Sequence, residues 1–598
     1  MNYFQDILQG VEVGKGQLLV RLVPLITAIV IIGFACDLMS FRGLDDAQSM
    51  DNAQLARQIA RGQGFTTEFL RPHALAQLRD YSVNQSLLTG GGRDLFPADQ
   101  FPAGVPRILP DTYNPPGYPY LLAAWFTLTQ PTWDETPTAM STTHIYSPER
   151  LIPVLNQIFL ILTAMLVFVL GQRLFDGRVA WMSMVAFLAT DLIWRYTLTA
   201  LPTLVLMFFV TAMLLCILEI FRIGENCFES EDQSFTPAWY WTVAAGLFLA
   251  AACLTRLHLL ILLVPLFIFL ILMPRSNFFT FVVIAVIVVA FVTPWFIHVN
   301  NVCGNPLGSN TPLLLYGTDD YQGNEIYCTM TIPSYERLFK DASKKEYNGF
   351  RWHFEHAWNM LGANPLVLLF GASILHQFKR RRTRLFHWLI VASVLALIAA
   401  NNLGDAQPDT FGPWNNIILL FPGMLVMGGA FFFILLDRLN LQLWLLNNLI
   451  VTATLILTVL PLVLTLTSSN LFFYNFPPYM PPVIKSFAQF AHPDEWVTTD
   501  MPWATAWYGD RASLWLPDSL NDFENLNDNV CPTGLLFLTP ATWDEPISKI
   551  TKGEYKDWYP VIVGPTTPLN FPLTLHTQTG PGGPDYSLWS DRARWQAR

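Results

Sequence analysis

The stretch GLDDAQSMDNAQLARQIARGQGF (residues 43–65) follows directly on an apolar run, yet it carries three aspartates and reads as a capped helix. Asp45 is placed to cap that helix, and Gln48 sits where the partner of a capping box belongs. Asp46 in the first turn suits the positive end of the helix dipole. Gly62 is a natural stop. Capping does not account for Asp51, nor for an acid cluster at the exit of an apolar segment. A carboxylate sheltered there from bulk water has a raised pKa and suits a general base. Asp45, Asp46 and Asp51 are therefore the candidate catalytic groups.

Composition says what the apolar segment is. Of 598 residues, 52% are hydrophobic and 13% charged, and the mean hydropathy is +0.35. Soluble globular proteins carry about 25% charged residues. The chain therefore reads as a polytopic α-helical membrane protein. A net charge of −10 and the lack of a long basic run argue against a nucleic-acid partner. The first apolar run, 18–37, lacks a cleavage site and reads as an anchor. A bilayer core takes about 20 apolar residues per helix. Candidate spans are 18–37, 115–131, 150–171, 179–200, 202–221, 238–254, 256–273, 277–298, 359–377, 385–401, 411–436 and 443–468. Residues 1–468 thus form an expected transmembrane domain of about 12–13 helices, with polar loops at 38–114 and 299–358. Residues 469–598 read as a C-terminal soluble α/β domain, with strands expected in EWVTTD, GLLFLT and YPVIVG. Its aromatic stretch WVTTDMPWATAWYGDRASLWLP (496–517) suits a core more than a carbohydrate-binding face.

The basic run FKRRRTR (378–384) is expected inside, by the positive-inside rule. Counting from it places both large loops and the C-terminal domain outside, and Lys15 and Arg21 hold the N-terminus inside. The count does not close between 115 and 221, because 179–200 is left beginning and ending outside. Either that run breaks into two short helices, or 115–131 does not fully cross. Asp191 and Arg195 interrupt 179–200 and Pro202 follows it, which favours the broken pair.

Two further segments can carry chemistry. In ILPDTYNPPGYPYLL (108–122), Pro115 and Pro116 suit a stiff first helical turn, and would fix a groove edge bearing Asp111, Tyr113 and Asn114. In GLFLAAACLTRLHLL (246–260), Arg256 and His258 lie between two apolar runs. They read either as an interfacial anchor or as a phosphate contact, since guanidinium binds phosphate oxygens bidentately. Cys36, Cys216 and Cys253 are expected to pack in apolar segments. Cys303 and Cys328 share one polar segment and could pair in an oxidising compartment. No cluster has convincing metal-ligand spacing, so no metal or other cofactor is expected.

The order of these motifs resembles the GT-C class of membrane glycosyltransferases, in particular bacterial relatives of protein O-mannosyltransferases (glycosyltransferase family 39) and of the aminoarabinose transferase. An acidic motif after the first span is followed by NPPGYPYLL, where relatives often have His-x-Pro-Pro or Lys-Pro-Pro. ERLIPVLNQIFLILTAMLVFVLGQRLFDGRVA (149–180) is similar to the family's third span, and AGLFLAAACLTRLHLL to its Gly-Leu…Leu-Thr-Lys segment. The resemblance covers roughly residues 20–300 well and the later spans loosely.

The resemblance implies a hexosyltransferase at the bacterial cytoplasmic membrane. It would move a sugar from a polyprenyl-phosphate donor to a hydroxyl of a protein, lipid or glycan acceptor, usually with inversion. Other partners would be membrane lipids. The base would be Asp45 or Asp46, with Asp51 next, and Arg256 matches the family's phosphate-side Lys. Relatives typically have Asp-Glu followed by Tyr; here Asp46 stands for Glu and the Tyr is absent. Asn114 replaces the basic residue before Pro-Pro. These departures keep open a catalytically inactive scaffold subunit on the same fold. A transporter is a third reading, but no internal repeat supports it.

Overall fold

The computed structural model describes residues 15–89, 109–133, 146–229, 239–272, 278–318, 321, 325–331, 338–404, 410–439, 444–468, 481–492, 495–530, 532–543, 547–552, 556–562, 571–579 and 586–594. Helices form at every expected span. Among the described residues six are long and apolar enough to cross a bilayer: Ser147–Leu174, Thr203–Ile223, Phe278–Cys303, Arg381–Gly404, Ile417–Arg438 and Leu445–Thr467. Four apolar helices are shorter: Ile26–Ser40, Gly177–Leu188, Trp239–Thr255 and Leu257–Leu272. In Thr203–Ile223 and Ile417–Arg438, 83% of the apolar window is buried against other helices, but only 11% in Leu445–Thr467. The latter's exposed leucines and valines form an apolar surface larger than a water-facing protein carries, so this surface faces lipid.

Two breaks in the spans meet inside the bundle. The run expected at 179–200 is helical over Gly177–Leu188 and Asp191–Thr197, with a break at Ala189 and Thr190. The run expected at 359–377 yields only Pro365–Ser373, a nine-residue helix rising about 14 Å. Its cap, Asn364, accepts from Leu366 N at 2.9 Å and donates through Nδ2 to Thr190 Oγ1 at 2.9 Å. The Asn364 side chain thus caps its own helix and ties it to the other break.

Both irregularities considered for 115–221 are present: 179–200 is broken into two helices, as expected, and 115–131 yields only the short helix Gly117–Thr129. Its first turn lies against Thr255. Beyond its end, Trp133 packs edge-on against Phe126 at 5.4 Å, and its carbonyl accepts from Tyr146 Oη at 3.2 Å. Tyr146 in turn packs on Trp507 of the C-terminal domain at 5.3 Å. With 13 residues it rises only about 20 Å, and both ends lie on the C-terminal-domain side. The next helix starts on that side, where Glu149 accepts from Trp507 Nε1 at 2.7 Å. It ends at Leu174, in a recess shared with Lys379 and Arg380. The broken segment then returns once, from Asp176 to Ala200, whose carbonyl accepts from Asn52 Nδ2 at 3.0 Å.

The strands are β1 (Thr66–Thr67), β2 (Phe69–Leu70), β3 (Leu109–Pro110), β4 (Trp496–Thr499), β5 (Ser513–Trp515), β6 (Thr533–Leu538), β7 (Leu575–Thr579) and β8 (Tyr586–Ser590). β1 pairs with β3; the others form one sheet in the order β2-β5-β4-β6-β8-β7. β2, β5, β4 and β6 run parallel, and β8 and β7 complete an antiparallel edge. β4 and β6 are buried along their whole length, as strands covered on both faces must be. The edge strand β2 comes from the first polar loop, so the sheet is not built by the tail alone. EWVTTD and GLLFLT supply β4 and β6 as expected. The described part of YPVIVG is not a strand: Tyr559–Ile562 is a helical turn, and 563–564 lie outside the described residues. Pro560 withholds a ladder donor, and Val561 and Ile562 pack in the cluster that buries Trp558. Trp496, Trp507 and Trp515 are all buried, as core residues.

Cys303 and Cys328 do not form a disulfide with each other. The Cys303 thiol folds back on its own helix end, donating to Val299 O at 3.3 Å. It packs beside Leu78, whereas Cys328 packs in the cluster of Tyr327 and Trp515.

The shortness of the Gly117–Thr129 helix gives a direct prediction. Single cysteines introduced at Pro116 and Gln130 should react with an impermeant thiol reagent from the same side of sealed vesicles, and one at Asp437 from the opposite side. Opposite labelling of 116 and 130 would restore the crossing helix.

Candidate active site

Three segments meet where the spans end beneath the C-terminal domain. They are the helix Ala47–Ala60, the Pro-Pro turn and the Thr255–His258 linker. Between them lies a cavity of about 310 Å³, lined by Gln48, Asn114 and Pro115 on one side and by Arg256, His258 and Trp414 on another. Its remaining walls are largely apolar, including Leu260, Phe296, Leu314 and Leu403. That volume is at the lower end for small-ligand sites, about 300–1,000 Å³.

The contact between the two predicted motifs depends on a glycine. A Cβ on Gly117 would stand 2.4 Å from Thr255 Oγ1 and 2.9 Å from Thr255 N. Only a residue without a side chain lets the start of the Pro-Pro helix lie on the segment that presents Arg256. Arg256 itself is extended, between a helix ending at Thr255 and the 3₁₀ turn Leu257–Leu262. It is buried, and Nη1 donates to the Asn416 amide oxygen. Asn416 donates on to Asn401 Oδ1 at 2.6 Å. His258 makes a 3.1 Å contact from Nε2 to Gly404 O, so that nitrogen carries the proton.

The aspartates have three different fates. Helix capping falls to Asp46, one residue later than expected: its Oδ2 accepts from Ser49 N at 2.8 Å. Gln48 is not a capping-box partner; it donates to Asn114 Oδ1 at 2.7 Å. Asp51 is fully buried and pairs with Arg71 at 2.8 Å. It also accepts from Asn114 Nδ2 at 2.8 Å and Gln54 Nε2 at 3.0 Å. Asp45 is open to solvent and makes no hydrogen bond to another side chain among the described residues. The protein around it pushes its carboxyl above the ordinary range, and Arg195 opposes that rise.

Asp111 lies behind the cavity wall. Its carboxylate accepts from Asn114 N at 2.8 Å and Tyr113 N at 3.3 Å, which shapes the turn before Pro115. Burial, then the charge of Asp51, push its pKa up to about 6. Pro116 opens the Gly117–Thr129 helix. The structure thus brings Tyr113, Asn114, Pro115, Arg256 and His258 to one cavity, and sets Asp51 and Asp111 behind it.

Arg71 is the residue that sequence reading missed. Its guanidinium is sandwiched between the rings of Phe69 at 3.9 Å and Tyr113 at 3.7 Å, while it pairs with Asp51. The available signal was an arginine set between Phe69, Leu70 and Pro72 in EFLRPH. Asn310, whose amide donates to Tyr113 O, and Asn416 carry no comparable signal, because their partners come from chain segments far away in sequence. Among the described residues no group of three or more His, Cys, Asp or Glu is placed to hold a metal ion.

No protein-family profile matches the chain, and no curated protein matches it by sequence. Solved structures do match in fold. One is ArnT from Cupriavidus metallidurans bound to undecaprenyl phosphate, with a TM-score of 0.51 and 11% identity over 96% of this chain and 98% of that one. Another is the oligosaccharyltransferase of Archaeoglobus fulgidus in complex with Zn and sulfate, with a TM-score of 0.51 and 11% identity over 88% of this chain and 70% of that one. The chain therefore has the GT-C fold.

The buried pair and the cap should differ sharply on mutation. Arg71→Ala leaves Asp51 as an uncompensated buried charge and should cost about 3–5 kcal/mol. Asp46→Ala removes one cap and should cost about 1 kcal/mol. Unfolding in detergent measures both; equal losses would contradict this assignment.

Proposed function

We propose that this protein is an inverting hexosyltransferase that takes a sugar from a polyprenyl-phosphate carrier and passes it to an acceptor hydroxyl. The acceptor belongs to a protein, lipid or glycan outside a bacterial cytoplasmic membrane, with the N-terminus inside and the C-terminal domain outside. The observation that carries the reading is the cavity: an apolar groove with a guanidinium and an imidazole at its wall, beside the start of the acidic helix. An isoprenoid phosphate has that same division, an apolar chain ending in an anion. A fold shared with a protein solved with undecaprenyl phosphate bound supports it further.

In the step itself the acceptor oxygen attacks the anomeric carbon, and the bond from that carbon to the phosphate oxygen breaks. The phosphate keeps the electron pair. Arg256 stabilises its developing charge, and His258 lines the same wall. Asp45 takes the acceptor's proton, and its raised pKa makes it a stronger base than an ordinary carboxylate. Asp46 and Asp51 hold the loop rather than the proton.

Purified protein in detergent should consume a polyprenyl-phosphate hexose. Asp45→Asn should slow transfer by about 10²–10⁴-fold while binding of the lipid phosphate is retained. Asp46→Asn should keep most activity. Because the base acts ionised, the parent's rate should rise with pH through the Asp45 pKa, above the usual value of about 4, and residual Asp45→Asn activity should lack that limb. Unchanged turnover in Asp45→Asn would remove it as the base. If no donor is consumed, the scaffold reading takes over.

A further inference from the structure

The end of the bundle remote from the C-terminal domain holds a second cavity, of about 630 Å³. It lies where three segments finish: Leu174 to Val179, His376 to Thr383, and Ala430 to Arg438. Four cations line it, Arg178, Lys379, Arg380 and Arg438, against two acids, Asp176 and Asp437. Both acids are used by one cation. Arg178 stands 3.5 Å from each, and its guanidinium lies over the Phe433 ring at 5.4 Å. Lys379, Arg380 and Arg438 make no ion pair among the described residues, and all three are exposed. The cavity therefore presents an excess of positive charge over an apolar floor that includes Phe433 and Ile434.

We infer that this recess binds the phosphate-ester headgroup of an anionic glycerophospholipid. Three uncommitted cations suit a phosphodiester anion. The floor suits the first carbons of the acyl chains, and basic recesses between spans at this level bind acidic headgroups. A free phosphate would meet the same cations but would leave Phe433 and Ile434 uncovered, so the apolar floor favours the lipid. A diffuse topology signal would need the charges but not the recess. Arg384 tests that difference, because it belongs to the same basic run and does not line the cavity.

The test is native mass spectrometry of the full chain in detergent, titrated with phosphatidylglycerol, phosphatidylcholine or inorganic phosphate. Phosphatidylglycerol should remain bound and phosphatidylcholine should not. Lys379→Gln and Arg438→Gln should each weaken retention about fivefold, and Arg384→Gln should leave it unchanged. Melting temperatures of the lipid-free variants, expected to match the parent, separate lost binding from lost folding. Equal weakening by Arg384→Gln would reduce the effect to diffuse attraction and overturn the site. Displacement of the lipid by millimolar inorganic phosphate would overturn the lipid assignment, as would equal retention of phosphatidylcholine.

Discussion

Arg57 ties the first polar loop to the C-terminal domain. Its side chain is fully buried, and the guanidinium reaches out of the Ala47–Ala60 helix to Ala506 O and Trp507 O, each at 2.7 Å. Those carbonyls belong to the last turn of helix Pro502–Gly509, where carbonyls lack helical partners and a cation is favoured. Glu68 pairs with the same guanidinium at 2.8 Å, and the Trp507 ring lies 5.1 Å from it. A lysine has neither the planar fork nor the number of donors to do this. Glu68 directly precedes β2, whose pairing with β5 is the second bond between loop and tail. The clamp and the sheet edge therefore enforce the same placement.

That placement sets the geometry of the cavity. The helix is held by Arg57 at its far end, and near its start by Ser49 Oγ and Asn52 Nδ2, which bond the two faces of the Ala200 peptide at 3.1 and 3.0 Å. One rigid element thus joins the C-terminal domain to the point where a broken span ends. The Asp51–Arg71 pair then carries the Pro-Pro turn, through Asn114 and the Tyr113 ring. A buried ion pair is weak evidence for net stability, because desolvation offsets much of its attraction. Here the pair holds Asn114, whose amide bonds Asp51 on one side and Gln48 on the other. A cation before Pro-Pro is not needed to balance Asp51, because Arg71 already supplies one.

What the sequence made legible was the set of elements and motifs. Hydropathy located the spans, because a bilayer demands long apolar runs whatever they pack against. The motifs around Asp45, Pro115 and Arg256 were recognisable because chemistry and backbone geometry restrict residue types there. Depth and direction were not legible. The Gly117–Thr129 helix is as apolar as a span, yet it buries Tyr118, Leu122 and Phe126 while exposing Tyr120 and Leu128, and hydropathy does not say which of its faces meets protein. Thr190 and Asn364 show the same limit: each reads as a polar interruption, and only their 2.9 Å bond explains both. In YPVIVG the β-branched pattern points to a strand, but Pro560 and the packing of Trp558 beside it favour a helical turn over Tyr559–Ile562.

The three aspartates show why residue type alone could not assign the roles. All are carboxylates within seven positions, and all are acceptable in a helical start. What separates them is the donors they meet. Asp46 meets a backbone N–H at a helix end, which needs an acceptor whatever the protein does. Asp51 meets a guanidinium and two amides, which occupy both of its oxygens. Asp45 meets no such set. In the proposed reaction the base must release lone pairs to a substrate and then lose the proton again, which a carboxylate fully occupied by the fold cannot do. The acid that the fold leaves unoccupied is also the one nearest the exit of the first span.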